Sequence, residues 1–375
     1  MSKTLLRATA GLGLVAGLAG HAGAAEAGQP WWLTPVSLTQ APQPAHKRPK
    51  AIPVQANGDD PAQPQQAAVA DPPPEPEKPG VLTREGVLVI EPSVEYQHSN
   101  VNKFVVGGVA ILDTALIGTI QASQADRDSV TATLGLRYGI TNRLEAELRV
   151  PFMYRHDQTT NTFVSTNNVA ATNSLTDEDL GDIEGALHYQ INDGEGGWPF
   201  FVANLRVKSA TGRGPFDVKR DFNGVEQELA TGSGSWGIEP SLTVIAPSDP
   251  AVFYANLGYL YNFSENVDKD ITSSQHLNSV DPGGAVRLGV GMGISLNEKV
   301  SFSIGYQEDF ISGTTTNFNT GSFKSGSLNV GSMTFGVNWQ MTPDTALNVN
   351  VGVGVTRDAP DMRLMVRVPV ALKLF

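Results

Sequence analysis

The feature that most constrains the fold is an alternation of apolar and polar residues that recurs from about Gly86 to Phe375. In residues 144–152, leucine, alanine, valine and phenylalanine alternate with Glu145, Glu147 and Arg149. A period of two places the apolar residues on one face of a strand and the polar residues on the other. Because several polar faces carry charges and no helical pattern covers the sheet, the alternation predicts a closed barrel with a wet interior and an apolar exterior.

Twelve strands of this kind are predicted, each long enough to cross a bilayer core at a tilt. They span 86–98, 129–139, 143–155, 181–191, 199–209, 235–246, 251–263, 283–295, 299–311, 327–340, 344–356 and 361–374. Five connections are short, whereas most of the others are long and polar. An even number of strands, with short turns at one end and long loops at the other, is typical of bacterial outer-membrane barrels. We therefore predict an all-β fold, a twelve-stranded antiparallel transmembrane β-barrel over 86–375, surrounded by outer-membrane lipid.

The connection 99–128 leaves alternatives open, because it contains an apolar stretch. Two further spanning strands would raise the number to fourteen. Within it, 103–123 could instead form a constriction inside the lumen or extend the neighbouring strands on the extracellular side. Extension is favoured slightly, since a lumen lined by charges suits an apolar loop poorly.

Aromatic residues lie near the strand ends on the predicted lipid face, as in the two aromatic girdles of membrane barrels. They are Tyr138, Phe152, Tyr154, Tyr189, Phe201, Trp236, Phe253, Tyr261, Phe263, Phe310 and Trp339. A water-soluble β-sandwich would place aromatic residues through its centre. Their position therefore favours a membrane barrel.

The first 85 residues have two different compositions. Residues 1–24 combine an early positive charge, a short apolar run and the small residues Ala22-Gly23-Ala24, which together predict a cleaved signal peptide. Residues 25–85 are rich in proline, glutamine and alanine. They carry too little apolar surface to offset chain entropy, so a disordered periplasmic extension is predicted. A periplasmic partner for this extension is a further hypothesis.

Composition excludes several kinds of function. The chain has no cysteine, which removes disulfides and thiolate metal sites. Its net charge of −12 argues against a nucleic-acid partner. Three histidines, His98, His156 and His276, are predicted at the extracellular rim, where solvated loop residues are more common than catalytic or metal-binding sets. We predict no enzymatic activity, no metal site and no cofactor.

Strand parity assigns a set of charged side chains to the lumen. The predicted pore-lining residues are Glu91, Glu95, Arg137, Glu145, Glu147, Arg149, Arg155, Asp182, Glu184, Arg206, Lys208, Glu239, Arg287, Arg363 and Arg367. The opposite wall, strands seven to eleven, is predicted to carry almost no charge beyond Arg287 and to be lined by small polar residues. Two hypotheses that do not exclude each other follow: the arrangement imposes a transverse field across a narrow pore, and its acids pair with its bases along one wall.

Several turn-and-strand motifs resemble those of the outer-membrane transporter family named for the meta-pathway of phenol degradation. They are RYGITNRLE at 137–145, Val150-Pro151-Phe152 and GDIE at 181–184. Two others, GSGSWG at 232–237 and SDPAV at 248–252, are similar to the branch that contains the secretion channel for functional amyloid subunits, the Fap system. The resemblance spans most of 82–375. It raises the hypothesis of a homotrimer, although 26–80 shows neither the heptads nor the helix signals of that branch.

Two cargo hypotheses follow from the resemblance and the lumen. The first is export of an unfolded polypeptide such as functional amyloid subunits, which a lumen with many charges and few aromatic residues favours. The alternative is diffusion of small organic or aromatic solutes. A third class, a structural or adhesive barrel with a closed lumen, remains open at this point.

Overall fold

A computed structural model of the protein describes residues 80–100, 104–106, 109–111, 120–163, 170–220, 226–271 and 275–374. The predicted signal peptide, 1–24, and residues 25–79 of the predicted extension lie outside the described residues. In the described part the fold is all β apart from one turn of 3-10 helix, Glu195–Gly197. No helix among these residues has the length and hydropathy needed to span a membrane.

The strands are numbered in chain order. They are β1 (Val87–Ser99), β2 (Phe104–Val106), β3 (Val109–Ile111), β4 (Ile120–Thr141), β5 (Leu144–Phe163), β6 (Ala170–Leu180), β7 (Glu184–Gln190), β8 (Phe200–Lys208), β9 (Gly237–Ser248), β10 (Ala251–Asn262), β11 (Glu265–Asp270), β12 (His276–Asp281), β13 (Ala285–Ser295), β14 (Val300–Ile311), β15 (Thr315–Phe318), β16 (Gly321–Lys324), β17 (Leu328–Thr342), β18 (Thr345–Gly354), β19 (Met362–Arg367) and β20 (Val370–Lys373).

One antiparallel sheet closes on itself and forms the barrel. β1 pairs with β4 on one side and with both β19 and β20 on the other. Successive neighbours then run β4, β5, β7, β8, β9, β10, β13, β14, β17 and β18, and β18 pairs with β19. β6 and β7 pair with successive parts of β5 and together fill one strand position of the barrel. β19 and β20 do the same beside β1, so the barrel has twelve strands. The predicted fold class is confirmed.

Strand bounds differ most from the prediction on the long-loop side of β4 and β5. The register runs as far as Ile120 opposite Phe163, well beyond the predicted bounds of 129 and 155. Extension is thus confirmed for 120–123. Phe104–Val106 and Val109–Ile111 form a separate hairpin, so the described part of 99–128 adds no strand to the barrel. Residues 112–119 lie outside the description.

The two faces of the barrel differ as the alternation predicts. Along β10, Phe253, Leu257 and Tyr261 are about half exposed, whereas Asn256 and Leu260 are buried. Aromatic residues at both barrel ends, including Tyr189 and Trp339 at the short-turn end, share this exterior face. A closed barrel has no free sheet edge, so its backbone groups are satisfied in lipid. An apolar exterior with aromatic residues at both ends is the architecture of a bacterial outer-membrane barrel.

A second, smaller sheet lies at the long-loop end, where the sequence predicts only connecting loops. It has the order β11, β12, β15, β16. Ile271, Leu277 and Val280 form its buried core, and Phe216 from the connection between β8 and β9 packs against them. The extracellular end of the barrel is therefore structured by the packing of three connections on one another.

Candidate functional site: the barrel lumen

The predicted pore-lining residues all lie on the inner face of the barrel or at its rim. Most are less than a tenth exposed, and Glu239 is fully buried. Charged side chains in a wide, water-filled pore would be solvated instead. Their burial arises from mutual contact, because the lumen of a twelve-stranded barrel lies between one filled by side chains and an open porin channel.

The first ion-pair network lies on β1, β4 and β19. Arg137 donates a hydrogen bond from Nη2 to Glu91 Oε2 at 2.8 Å, and Arg367 Nη1 lies 3.5 Å from Glu91 Oε1. Arg363 Nε lies 3.6 Å from Glu95 Oε1. One carboxylate, Glu91, is thus shared by two guanidinium groups. Acids and bases of this wall pair off, as one of the two hypotheses predicts.

A second group of contacts continues this network around the wall on β5, β7 and β8. Arg149 Nε donates to Glu147 Oε1 at 2.5 Å. His188 Nε2 lies 3.1 Å from Glu147 Oε2, and its Nδ1 lies 2.9 Å from Asn204 Oδ1. His188 is therefore a paired side chain of the wall, held by a carboxylate and an amide.

A third network lies in the long-loop half of the lumen, below the apolar residues at the strand ends, and centres on Glu239. Its carboxylate accepts hydrogen bonds from Arg206 and, at 3.2 Å, from Arg287 Nη1. Arg206 also pairs with Glu184, and Arg287 Nε lies 3.4 Å from Asp309 Oδ2. This chain of charges joins β7 to β14. The opposite wall thus carries Asp309 as well as Arg287, and the prediction of almost no further charge there is wrong.

At the long-loop end, the connection between β8 and β9 packs into the mouth of the barrel. Asp182 accepts hydrogen bonds from Ser233 N at 2.8 Å and from Gly212 N at 3.1 Å. Lys208 Nζ donates to Ser233 Oγ at 2.7 Å, and Arg155 Nη1 donates to the carbonyl of Ala230 at 3.0 Å. Predicted lumen charges therefore anchor this loop rather than face open water.

An apolar patch lies on the inner face just below this loop. It consists of Leu260, Ala285, Ile311, Leu328, Val330 and Ala359. Gly237 brings the patch against Lys208, because a Cβ there would lie 3.1 Å from Leu260 Cδ1 and 3.3 Å from Lys208 Cε. Glycine at 237 is what allows β9 to approach both side chains. The lumen therefore has an apolar surface next to charged groups near its extracellular end.

A small cavity, with room for about one water molecule, lies in the lumen near the short-turn end. Its lining consists of one ion pair, three side-chain amides and two small apolar residues: Glu91, Arg137, Asn338, Gln340, Ala346, Asn348 and Pro369. Asn338 lies opposite Asn348, and Asn348 lies opposite Arg367. The side chains that line the cavity lie at a similar height on the inner wall, on strands from β17 to β4.

Residues 80–86 lie across the short-turn end of the barrel. Val81 N donates to Gln190 Oε1 at 3.0 Å, and Thr83 N donates to Glu145 Oε2 at 2.8 Å. Gln190 and Glu145 are both buried on the inner face. The last residues of the predicted extension are thus ordered against the lumen, so the ordered part of the protein begins before residue 86.

The three rim histidines are each paired but do not meet in one site. His98 Nδ1 lies 2.9 Å from Asp128 Oδ1, and His156 Nδ1 lies 2.8 Å from Thr176 Oγ1. His276 contacts two carboxylates of the small extracellular sheet, and hydrogen bonds to Asp270 and Asp268 raise its pKa. Within the described ranges no cluster of three or more potential protein ligands could hold a metal ion.

Removing two positive charges from the first network tests whether the lumen controls ion passage. In the double variant Arg363→Ala/Arg367→Ala, Glu91 and Glu95 remain, so we expect ion selectivity to shift toward cations. The reversal potential of the full-length protein in planar bilayers under a KCl gradient measures this shift. Arg357→Ala, on the exposed connection between β18 and β19, is the control. An unchanged reversal potential in the double variant would contradict the expectation.

Solved structures similar to the chain include outer-membrane proteins of different activities. An outer membrane channel from Pseudomonas putida F1 is 14% identical, with a TM-score of 0.48, over 77% of this chain and 97% of that one. The translocator domain of the autotransporter NalP from Neisseria meningitidis is 11% identical, with a TM-score of 0.41, over 77% and 88%. The toluene transporter TodX from Pseudomonas putida is 12% identical, with a TM-score of 0.36, over 78% and 90%. None of these similarities identifies a substrate.

A sequence profile gives a more specific similarity. Residues 219–363, less than half of the chain, match the family described as "Putative MetA-pathway of phenol degradation". The resemblance inferred from the motifs is supported for this family, whereas the branch that secretes amyloid subunits is not supported. The matched range begins in the connection between β8 and β9 and ends in β19. It includes Glu239, Arg287 and Asp309 of the third network, the apolar patch and the amide residues of the cavity lining, but not Arg206 or Glu184.

Proposed function

We propose that the protein is an outer-membrane diffusion channel for small organic solutes. The observation that carries this proposal is the packing of the lumen, in which paired charged side chains are mostly buried against one another. An extended polypeptide would have to separate the ion pairs along the whole lumen before it could pass.

The distribution of surface along the lumen supports the same proposal. A solute entering from the long-loop end meets the apolar patch, then the charged network around Glu239, and then the polar cavity near the short turns. Solutes with an apolar body and a polar group find a partner at each end of this path. The description of the matched family, which names phenol degradation, agrees with organic solutes of this kind.

Solute flux into proteoliposomes distinguishes this proposal from the alternatives. We expect full-length protein to admit small solutes such as arabinose and benzoate faster than liposomes without protein. A labelled glutamine- and asparagine-rich peptide of about 30 residues should stay outside, because side chains that fill a barrel interior leave no room for an extended chain. Uptake of the peptide would favour polypeptide export instead. Absence of flux for every solute would favour a closed structural barrel.

A further inference from the structure

We infer that Tyr254 is the side chain that sets the size limit of the passage through the lumen. This inference rests on the proposed function, because a size limit has a meaning only if solutes diffuse through the barrel. It goes further by assigning the limit to one residue and by placing the passage along one wall.

This wall lies on β13 and β14, on the short-turn side of the Glu239 network. Three successive inward positions on each strand hold only glycine or serine, and together they form the glycine wall: Gly289, Gly291, Gly293, Ser301, Ser303 and Gly305. The register places Gly291 opposite Gly305 and Gly293 opposite Ser303. Longer side chains fill the interior of small barrels, so residues this small leave space in the lumen.

The charged side chains of the other wall pair with neighbours on that same wall. Arg137 on β4 contacts Glu91 on the adjacent strand β1, and Arg149 contacts Glu147 on its own strand. His188 on β7 contacts Glu147 on the adjacent strand β5. These long side chains are thus held along the charged wall by their partners. The passage with the fewest long side chains therefore runs along the glycine wall.

Tyr254 on β10 is the aromatic side chain that lies on the glycine wall. A Cβ atom at Gly291 would clash with the Tyr254 hydroxyl oxygen, and one at Gly305 would lie only 2.7 Å from that oxygen. Real Cβ atoms do not approach other atoms so closely, so glycine at these two positions admits the ring. The ring therefore extends from β10 over β13 to β14 and covers part of the wall.

The Tyr254 side chain also borders open space. It shares the inner face with Asn256, the next inward residue on β10, but it is partly exposed whereas Asn256 is buried. Its hydroxyl has no hydrogen-bond partner among the described residues, so packing on the glycines holds the ring in place. Exposure on the inner face of a closed barrel is exposure to the lumen. The ring thus occupies space that the glycines leave, and its size limits the width of what passes.

Removing the ring should widen the passage. In Tyr254→Ala we expect the single-channel conductance of the full-length protein in planar bilayers to rise about twofold, because pore diameter limits flow. In proteoliposomes this variant should admit sucrose, which wild type should exclude while it admits arabinose. Tyr259→Ala is the matched control, since Tyr259 lies on the same strand but is 48% exposed on the exterior face. Its conductance and its exclusion of sucrose should equal those of wild type.

Gly305→Ala should have the opposite effect. The added Cβ would lie 2.7 Å from the Tyr254 hydroxyl oxygen and 2.9 Å from Thr334 Oγ1, both of which are the ends of side chains that can move. The ring would then be displaced into the lumen, and conductance should fall to about half. In the Tyr254→Ala background, Gly305→Ala should change the conductance little. Heat-modifiable migration in gels shows that each variant has folded.

Equal conductance and equal exclusion of sucrose in wild type, Tyr254→Ala and Gly305→Ala would overturn the inference. If arabinose still enters the proteoliposomes in that case, the channel function stands and only the size filter fails. Absence of arabinose flux in wild type and in every variant would remove the proposed function as well.

Discussion

Replacing Glu239 by glutamine should destabilise the barrel by about 3 kcal/mol, because it leaves two buried guanidinium groups without their shared carboxylate. Glu239 is 0% exposed and accepts hydrogen bonds from Arg206 and Arg287. Each arginine keeps one other acidic partner, Glu184 and Asp309 respectively. The expected loss is therefore at the lower end of the range for a broken buried ion pair, roughly 3–5 kcal/mol.

The same substitution should shift the ion selectivity toward anions, opposite to the effect of removing Arg363 and Arg367. Urea-dependent unfolding in detergent measures the stability, and the reversal potential in a KCl gradient measures the selectivity. Glu265→Gln in the exposed strand β11 removes one carboxylate outside the lumen and serves as the control. If Glu239→Gln matched Glu265→Gln in both measurements, the lumen carboxylates would be hydrated and the pore wide.

The barrel could be predicted from the sequence because period-two alternation is a direct consequence of one lipid face and one polar face. Beyond the membrane-spanning part of the barrel no alternation is required, so the sequence does not predict strands there. The extension of β4 to Ile120 and the small sheet of β11, β12, β15 and β16 lie beyond the apolar exterior. Polar residues there can form strands or loops, and only pairing with neighbouring connections decides between them.

Which lumen charges pair with one another could not be predicted, because pairing depends on the register between strands. Arg206 and Glu239 meet because β8 and β9 place them directly opposite each other. Asp309, by contrast, could have been assigned from parity, since it follows Ser301, Ser303 and Gly305 at even spacing along β14. The contact between the β8–β9 connection and Asp182 could not be predicted either, because the only indication in the sequence is the glycine and serine content of that connection.

Placing a charge at the middle of the exterior should have an effect as large as that of Glu239→Gln and tests the membrane face directly. Leu257 is 55% exposed and lies in register with Leu242 on β9 and Leu288 on β13, which are also exposed. In Leu257→Arg a guanidinium would face hydrocarbon near the bilayer midplane. We expect a loss of roughly 2–4 kcal/mol in folding free energy.

Leu296→Arg is the matched control, because Leu296 is exposed in the short turn between β13 and β14, at the level of the membrane boundary. The same substitution there should cost about 0–1 kcal/mol. Equilibrium folding of the full chain into lipid vesicles, followed by tryptophan fluorescence, gives both values. A larger cost at 257 than at 296 means that the exterior leucines contact hydrocarbon. The paired charges of the inner face can then meet water only in the lumen. Equal costs at 257 and 296 would place both leucines in water, and a barrel wetted on its exterior would not span a membrane.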